Sequence, residues 1–551
     1  MTSKHLAIDV AGMTCDACER HVIGALLTSG AQDATADFRR GLATAIVPAE
    51  VDEAALAAAI RQAGYEPGTI RALDVPTQPH VVGRSGDYDL AIIGSGSAAF
   101  AAAITATGLG ARVVMVEHGT VGGTCVNVGC VPSKALLRAA ETYYQAGHHP
   151  FAGIATRAAG VDLGRLLGAK DELVGQLRQD KYLDLVGEYG WELRHGQARF
   201  HDARTLAVDG EPLTADSYLI ATGAAPFIPP IPGLVEAGYL TSTTAFALTT
   251  LPASMAVIGG NAIGLEVGQL FARLGTRVTI LEVLDRIAPF EEPEVSEQLR
   301  QALTDEGLTV ITGAQIARVD APTGDGQRRL VYRVSGEERQ LVVEQVLVAT
   351  GRRPNTADLD LAQAGIATDA RGAVVVDASL RTTNPRVWAA GDVTPSPQYV
   401  YVAAYQGKLA AENAITRGDT ANDLSALPGV TFTSPQVASV GLTEARAREQ
   451  GCDVKISVLP LHAVPRALVN RDTRGLFKLV ADAQTDRLLG VHIVAEGAGD
   501  VIYAGVLAVK FKLTVQDLVG SFAPYLTMAE GLKLAAQTFD KDVAKLSCCA
   551  A

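Results

Sequence analysis

The fold is decided by residues 89–99, which read DLAIIGSGSAA. An apolar strand ends at Gly94 and an alanine-rich helix follows Gly96, which is the pattern of a dinucleotide-binding βαβ unit. Gly94 permits the tight turn, Gly96 lets a pyrophosphate approach the helix N-terminus, and Ala99 allows the helix to pack closely on the strand. Glu117 ends the next apolar strand, where its carboxylate can accept hydrogen bonds from a ribose. These residues predict a nucleotide site.

A second copy of the pattern lies further along the chain. Gly259 and Gly264 hold its first and last small positions, while Asn261 replaces the middle glycine. Asparagine tolerates left-handed backbone geometry better than most residues, so we expect the turn to be kept. Glu282 ends the following strand and favours a free ribose 2′-hydroxyl, hence NADH, whereas Arg286 is the nearby candidate cation for the 2′-phosphate of NADPH. The choice of coenzyme stays open.

Length and composition indicate a folded, multidomain protein with small ligands. The chain has 551 residues, 48% of them hydrophobic and 19% charged, which excludes a mainly disordered protein. Its net charge of −13 makes nucleic acid and anionic membranes poor partners. The sequence has no apolar run long enough for a membrane span and no secretory signal at its start. We therefore expect a cytoplasmic protein that neither binds nucleic acid nor inserts into a membrane.

The seven cysteines are unevenly distributed. Six of them fall in close pairs, which are Cys15 with Cys18, Cys125 with Cys130, and Cys548 with Cys549. In a reducing compartment such pairs indicate metal capture or dithiol redox chemistry rather than a disulfide framework. We expect the remaining one, Cys452, to be a small buried apolar residue.

Residues 122–134, GGTCVNVGCVPSK, carry the strongest chemical signal. Two cysteines five positions apart enter a predicted helix, whose dipole can lower the pKa of a thiol there. A structural disulfide or half of a zinc site is the alternative, but no second CxxC or histidine pair of suitable spacing accompanies the segment. We favour a redox-active pair.

From about Tyr88 to its C-terminus the sequence resembles the pyridine-nucleotide disulfide oxidoreductases, class I flavoproteins. Residues 122–134 resemble the redox disulfide motif of that family, and ATG at 221–223, ATGRRPN at 349–355 and AAGD at 389–392 resemble its nucleotide and flavin contacts. The resemblance implies FAD in the first fingerprint and a nicotinamide coenzyme, NADPH or NADH, in the second. The implied cofactor-binding residues are Gly94, Gly96, Ala99, Glu117, Gly123, Thr124, Lys134, Thr222, Gly223, Asp392, Gly259, Gly264, Glu282 and Gly351.

The same resemblance assigns roles around the cysteine pair. Cys130 would be the thiol nearest the flavin and Cys125 the outer, exchanging thiol, with Lys134 paired to Glu266 beside the flavin. A buried lysine–carboxylate pair is physically reasonable there, because each charge offsets the desolvation of the other. Tyr182 is implied as an active-site tyrosine.

One position departs from the disulfide reductases of the family. Their C-terminal region carries a histidine that acts as the base for thiol exchange, and residues 524–530 here read PYLTMAE, with Tyr525 at that place. A phenol with an ordinary pKa near 10 is a poor base at neutral pH. Exchange with an organic disulfide is therefore disfavoured, although Glu530 remains.

The other two cysteine pairs suggest a different substrate in place of an organic disulfide. Residues 12–18, GMTCDAC, resemble the loop of a heavy-metal-associated domain, and the order of strand-like and helical stretches in residues 1–75 predicts a βαββαβ sandwich. The chain ends in SCCAA, and thiolates select soft cations. The combination resembles the metal-reducing members of the flavoprotein family and implies a homodimer whose tail acts on the opposite subunit. The implied metal ligands are Cys15, Cys18, Cys125, Cys130, Cys548 and Cys549.

We therefore predict an α/β protein with two Rossmann-like domains, an α+β dimerisation domain and a ferredoxin-like βαββαβ domain in front. The predicted segments are a heavy-metal-associated domain at 1–75, a flexible linker at 76–86, an FAD-binding domain at 87–235, an NAD(P)-binding domain at 236–355, a return to the FAD-binding domain at 356–424, and a dimerisation domain with the Cys-Cys tail at 425–551.

The resemblance implies NAD(P)H- and FAD-dependent reduction of Hg(II), supplied as thiol adducts, to Hg(0). Two alternatives remain. A dihydrolipoamide or low-molecular-weight disulfide reductase is favoured by Glu282 but opposed by Tyr525 and the tail. A soft-metal carrier would use Cys15 and Cys18 alone.

Overall fold

The computed structural model describes residues 3–14, 16–31, 33–38, 41–48, 51–72, 86–322, 324 and 326–541. The chain divides into two compact units, Met1–Arg84 and Ser85–Ala551, each with its own apolar core. All but the last residue of the predicted linker lies outside the described residues. In the described part of the chain, no helix combines the length and the apolar character needed to cross a membrane.

The N-terminal unit is a four-stranded antiparallel sheet, ordered β2-β3-β1-β4, on which two helices pack. Alternate residues of β3 are buried, as expected for a strand with one face on the core. The prediction of a βαββαβ order is confirmed. The elements are β1 (Ser3–Ala11), α1 (Asp16–Thr28), β2 (Asp33–Asp37), β3 (Leu42–Pro48), α2 (Glu53–Gln62) and β4 (Glu66–Ala72).

The second unit begins with a parallel sheet ordered β7-β6-β5-β10, to which β20 is added in parallel and β9 and β8 antiparallel. Every residue of β6 is buried, because apolar side chains cover both faces of a parallel sheet. The elements of this region are β5 (Tyr88–Ile93), α3 (Ser97–Gly108), β6 (Val113–Glu117), α4 (Gly123–Asn127), α5 (Cys130–His148), α6 (Leu163–Arg178), a π-helical turn (Gln179–Leu183), α7 (Asp184–Tyr189), β7 (Glu192–His195), β8 (Ala198–Phe200), β9 (Thr205–Val208), β10 (Glu211–Ile220), β11 (Ala224–Pro226), α8 (Leu234–Ala237) and α9 (Ser242–Ala245).

A second parallel sheet, ordered β14-β13-β12-β18, follows, with a three-stranded antiparallel sheet β15-β16-β17 beside it in sequence. The chain then returns to the first sheet through β20. The elements are β12 (Ser254–Ile258), α10 (Ala262–Arg273), β13 (Arg277–Leu281), α11 (Pro293–Asp305), β14 (Thr309–Ile311), β15 (Gln315–Asp320), β16 (Arg328–Val334), β17 (Glu337–Val343), β18 (Gln345–Val348), β19 (Arg352–Pro354), β20 (Val387–Ala389), a 3₁₀ turn (Gly391–Val393) and α12 (Val400–Thr416).

The last region is a five-stranded antiparallel sheet, ordered β21-β22-β25-β24-β23, against which three C-terminal helices pack. Together with the two parallel sheets it gives the predicted α/β architecture. The elements are β21 (Pro428–Thr431), β22 (Gln436–Gly441), α13 (Glu444–Glu449), β23 (Val454–Pro460), a 3₁₀ turn (Leu461–Ala463), α14 (Pro465–Asn470), β24 (Leu476–Asp482), β25 (Leu488–Ala495), α15 (Ala498–Lys510), α16 (Val515–Gly520) and α17 (Glu530–Gln537).

Candidate active site

The central cysteine pair lies where a short helix is followed by a long one. Cys125 is in α4, and Cys130 is the first residue of α5, which has 19 residues. Both are free, partly buried thiols. The Asn127 side-chain amide donates to Val121 O at 3.0 Å and to Gly123 O at 2.9 Å, which ties the end of α4 to its beginning. As the first residue of α5, Cys130 lies at the positive end of the dipole of that helix.

The two thiols differ in acidity. A hydrogen bond from Cys125 and the charge of the Lys134 ammonium, acting against the cost of burial, together lower the pKa of Cys130 to about 7. The same hydrogen bond, with burial added, raises the pKa of Cys125 well above its usual range. As the pH rises through about 7, the pair therefore loses a proton from Cys130 first and keeps the other on Cys125.

A lysine–carboxylate pair joins three regions of the second unit beside these thiols. Lys134 Nζ, on α5, lies 2.7 Å from Glu266 Oε2, on α10. The Phe432 backbone N–H donates to Glu266 Oε1 at 2.9 Å, and the Phe432 ring lies 4.4 Å from Lys134 Nζ in a cation–π contact. Gln269 holds this segment in place, because its amide exchanges two 2.8 Å hydrogen bonds with the Ser434 backbone. Both Glu266 oxygens are thus fixed.

Tyr182 lies in the π-helical turn Gln179–Leu183, close to the cysteine pair. Its ring packs edge-on against Phe100, with ring centroids 4.8 Å apart. Burial raises the pKa of Tyr182, a side-chain hydrogen bond with Ser97 partly opposes this, and negative charge on the cysteines adds to the rise. Tyr182 is therefore a neutral phenol that can donate a proton in a hydrogen bond. A π-helical turn often marks a functional site.

Tyr525 lies elsewhere in the second unit, on the segment between α16 and α17, and 54% of its surface is exposed. Glu530 is buried and its Oε2 accepts a hydrogen bond from Leu526 N at 3.3 Å, which orders this segment. The predicted role of Tyr525 at the cysteine pair stays a prediction.

The first glycine fingerprint forms a backbone cradle at the start of α3. Gly94 has φ +108°, and a Cβ there would lie 2.5 Å from Ala221 O. Gly123 has φ +64°, and a Cβ there would lie 2.6 Å from Gly96 Cα, so the two backbones are in close contact. The helix N-terminus that they leave open suits a pyrophosphate.

Glu117 is buried at the end of β6 beside this cradle. Its Oε2 accepts a hydrogen bond from Ser95 Oγ at 2.6 Å, and its Oε1 accepts one from Gly119 N at 2.6 Å. A carboxylate has about four acceptor positions, so it can still accept a bond from a ribose hydroxyl.

Arg352 and Asp392 form the far side of the same site. Arg352 donates to Ala224 O and, at 3.4 Å, to Thr124 Oγ1. Its Nε lies 3.8 Å from Asp392 Oδ2 and is buried without a hydrogen-bond partner among the described residues. Burial lowers the pKa of Arg352 and raises that of Asp392, and each charge opposes the shift of the other. An unpaired buried donor beside a backbone cradle fits FAD, whose polar chain needs such partners.

Thr222 and Gly223 follow β10 and are held by Asn355. Thr222 Oγ1 donates to Asn355 O at 2.8 Å, and the Asn355 side chain donates back to Thr222 O at 2.9 Å. Asn355 N donates to Gly223 O at 2.9 Å. Gly351 precedes this contact with φ +109°. The two predicted segments at 221–223 and 349–355 are thus in contact.

The second fingerprint repeats the first turn. Gly259 has φ +110°, and a Cβ there would lie 2.5 Å from Ala349 O, while a Cβ on Gly264 would collide with Gly259 O. The turn is kept as expected, but the reason given for it was wrong, because Asn261 is not left-handed: its φ is −110° and its ψ −176°. The equivalent Gly96 is also extended, at φ −84° and ψ −168°. Any residue adopts this backbone conformation, so the turn does not need a middle glycine.

Glu282 ends β13 in the position that Glu117 has in the first sheet. It is buried, and it accepts hydrogen bonds from Gly260 N at 2.6 Å and Leu284 N at 2.9 Å. Arg286, the candidate cation for a 2′-phosphate, instead donates from Nη2 to two backbone carbonyls at 2.8 and 3.3 Å.

The N-terminal unit supplies one described cysteine. Cys18 is partly buried in α1, and Thr14 N donates to its Sγ at 3.5 Å. Met13 of the same loop is buried in the core. Cys15, Cys548 and Cys549 lie outside the described residues.

Two residues of this site were not predicted from the sequence, Phe432 and Tyr401. Phe432 was missed because aromatic residues after a strand are common and nothing local marks this one. Tyr401 was missed as well. Its hydroxyl donates to Pro428 O at 2.6 Å, and burial, the neighbouring Tyr399 and the charge of Cys130 raise its pKa. An aromatic cluster at 399, 401 and 405 was the one available signal.

Comparison with known families agrees with this geometry. Residues 88–407 match the family described as pyridine nucleotide-disulphide oxidoreductase, and residues 427–536 match the dimerisation domain of that family. Residues 7–66 match the heavy-metal-associated domain.

Individual relatives span the whole chain. A mercuric reductase of Staphylococcus aureus is 53% identical over 553 residues, covering 100% of both chains. A mercuric reductase of Bacillus cereus is 51% identical and covers 99% of this chain and 87% of its own. Among solved structures, the Cu(II) complex of a HOCl-induced flavoprotein disulfide reductase from Escherichia coli has a TM-score of 0.74 at 32% identity, covering 82% of this chain and 99% of that one.

Proposed function

The chain belongs to the mercuric reductases, within the pyridine nucleotide-disulphide oxidoreductase family, and we propose from this that it reduces thiol-bound Hg(II) to Hg(0) with electrons from NAD(P)H. The observation that carries the proposal is the Cys125–Cys130 pair, which holds one thiolate beside the Lys134–Glu266 ion pair. The balanced reaction consumes one NAD(P)H, one proton and one Hg(II) bis-thiolate, and it releases NAD(P)⁺, Hg(0) and two thiols.

The first cradle would hold FAD, with Glu117 at its ribose and Arg352 and Asp392 along its polar chain. A flavin bound there would supply two-electron transfer from the nicotinamide coenzyme to the metal. The second cradle, from Gly259 to Gly264, holds the coenzyme pyrophosphate at the start of α10, with Glu282 at its ribose.

The cysteines bind the metal by exchange. Cys125, the outer thiol, replaces one thiolate of the incoming Hg(II) adduct and passes its proton to the thiolate that leaves. The Cys130 thiolate then replaces the second thiolate, which takes up a proton from solvent. Each Hg–S bond forms as another breaks, so no free Hg(II) ion is released. Reduction gives neutral Hg(0), which is a weak partner for thiolates and can leave.

The lysine–carboxylate pair and the tyrosines shape this site. Lys134 keeps Cys130 ionised, and Glu266 and Phe432 keep Lys134 in position. Tyr182, as a neutral phenol, contacts the metal-bearing pair and narrows the site against bulky disulfides. In our proposal Tyr525 has the same role at the cysteine pair of the opposite subunit, and it stands where a disulfide reductase has its histidine base.

The remaining domains deliver metal to this centre. The heavy-metal-associated domain indicates metal binding, and the dimerisation domain indicates a homodimer. In our proposal Cys15 and Cys18 collect Hg(II), and Cys548 and Cys549 pass it to the Cys125–Cys130 pair of the opposite subunit. The need for NAD(P)H and reduced thiols places this reaction in the cytoplasm.

The test is Hg(II)-dependent oxidation of NAD(P)H by the purified holoenzyme with excess small thiol, together with detection of volatile Hg(0). Turnover that requires Hg(II) is expected. If turnover does not depend on Hg(II), the proposed reduction is wrong and the chain is better described as a metal carrier. Faster turnover with lipoamide or glutathione disulfide than with Hg(II) would identify a disulfide reductase.

A further inference from the structure

The two nucleotide sites hold their carboxylates in the same arrangement. Glu117 follows Gly94, and Glu282 follows Gly259, by the same number of positions. In each site Oε1 accepts the N–H of the residue two positions on, at 2.6 Å from Gly119 and 2.9 Å from Leu284.

The second oxygen completes the repeat. In each site Oε2 accepts a hydrogen bond at 2.6 Å from the residue directly after the first glycine of the turn. That residue is Ser95, through its hydroxyl, in the first site and Gly260, through its backbone N–H, in the second. Both carboxylates are buried, with 8% of Glu117 and 6% of Glu282 exposed.

This arrangement suits one kind of ribose. The adenosine ribose of FAD carries a free 2′-hydroxyl, which donates to a carboxylate. A 2′-phosphate has no such proton at neutral pH and adds a charge of about −1.5 to −2, which a buried carboxylate repels. A second site built like the first is therefore built for an unphosphorylated ribose.

The described loop after Glu282 carries one basic residue before Arg300, which is Arg286. Its Nη2 donates to Pro289 O at 2.8 Å and Glu291 O at 3.3 Å, and its Nε is buried without a hydrogen-bond partner among the described residues, so neither nitrogen is exposed to an incoming 2′-phosphate. The side chains of Val283 and Leu284, directly after Glu282, are apolar and exposed.

One further arginine lies near this loop. Gly313 N donates to Leu284 O at 2.8 Å, and Gly313 lines a cavity of about 530 Å³ together with Arg333. Arg333 Nη2, however, lies 3.9 Å from Glu338 Oε2, so its charge already has an acidic partner in the same cavity.

We propose that the second site selects NADH over NADPH and that Glu282 is the residue that determines this choice. This proposal rests on the proposed function in one respect, which is that the second site binds the nicotinamide coenzyme. It requires no mercury, so its failure and the failure of Hg(II) reduction are separate results.

The test uses the FAD-loaded full chain without metal. NAD⁺ and NADP⁺ are titrated against the oxidised protein, and the rate of flavin bleaching by NADH and by NADPH is measured anaerobically in a stopped-flow instrument. We expect a preference of about tenfold or more for the unphosphorylated coenzyme in both measurements. Equal use of the two coenzymes, or a preference for NADPH, overturns the proposal.

Two variants identify the responsible residue. Glu282→Gln removes the charge at nearly constant shape and should reduce the NADH/NADPH ratio by about tenfold. Val283→Arg places a cation on the exposed side of the same site, which does not disturb the core, and should raise the rate with NADPH. Val283→Leu is its neutral control and should leave the ratio unchanged. If the NADH/NADPH rate ratio responds to neither Glu282→Gln nor Val283→Arg, Glu282 is not the residue that determines coenzyme choice. If Arg333→Ala abolishes the use of NADPH, Arg333 is the residue that discriminates between the coenzymes.

Discussion

Replacing Lys134 by methionine should raise the pKa of the Cys130 thiol. That pKa is about 7 in the native chain against an ordinary 9.0, with the Cys125 hydrogen bond as its first cause and the Lys134 charge as a further one. The whole difference corresponds to about 2.7 kcal/mol. Because 35% of the Lys134 side chain is exposed, water screens part of its field, and we assign about 0.5 to 1 pH unit of the difference to it.

The assay is the rate of alkylation of Cys130 by iodoacetamide as a function of pH. The protein is fully reduced and kept anaerobic, and peptide mass mapping separates Cys130 from the other cysteines. The thiolate is the reactive form, so the rate falls as the pH drops through the pKa. The Lys134→Met midpoint should rise to about 7.5 to 8, which lowers the thiolate fraction at pH 7 from about one half to between about a tenth and a quarter.

Two further variants decide what the result means. Lys134→Arg keeps the charge and should leave the midpoint within about 0.3 pH unit of the native value. Phe432→Leu keeps the backbone N–H that binds Glu266 but removes the ring from Lys134 Nζ, and it should raise the midpoint by less than Lys134→Met does. The reasoning is refuted if Lys134→Met leaves the midpoint unchanged, or if Lys134→Arg raises it equally.

Three other outcomes follow from the geometry. Cys130→Ala should abolish Hg(II)-dependent NAD(P)H oxidation. Cys15→Ala should leave the activity of the purified protein intact under excess small thiol. Residual turnover in the Cys130→Ala variant would contradict the assignment of Cys130 to the redox pair. Gly123→Ala should prevent FAD retention, because its Cβ would lie 2.6 Å from a backbone carbon. Gly190 is the control, because it has a similar positive φ but nothing within 4 Å of its Cβ position. Gly190→Ala should bind FAD normally, measured by flavin absorbance, and should lower the free energy of unfolding by about 1 kcal/mol, measured by thermal unfolding. Tyr182→Phe keeps the ring contact but loses the hydroxyl, and it should lower kcat with Hg(II) by about tenfold with unchanged FAD content; an unchanged kcat would remove the phenol from the mechanism.

Local patterns were sufficient for the elements of the fold. Runs of apolar residues predicted the strands that the structure begins at Tyr88 and Ser254. The spacing of the glycines predicted the turns that follow these strands. The reasoning about Asn261 was wrong because it assumed that a fingerprint glycine implies a left-handed conformation. The backbone is extended there, and the first glycine of each turn carries the positive φ.

The active site could be predicted from the sequence only where it is local. Cys125 and Cys130 are close in sequence and lie on one turn, so their pairing was expected. The contact of Phe432 with Glu266 joins residues 166 positions apart, and no periodicity marks it. The commitment of Arg286 to backbone carbonyls depends on the path of a loop, and a charge in the sequence does not show whether its hydrogen bonds are already used.

The amino-acid order alone determined which chemistry the chain carries, because thiol pairs, glycine turns and the tyrosine at the place of a histidine are properties of single residues and their neighbours. The tertiary structure decided which thiol ionises first and how Glu282 is held, and our proposal for the ribose of the second site rests on the latter. Both depend on the burial of a charge and on the hydrogen bonds around it, and these free energies are set only when distant segments pack together.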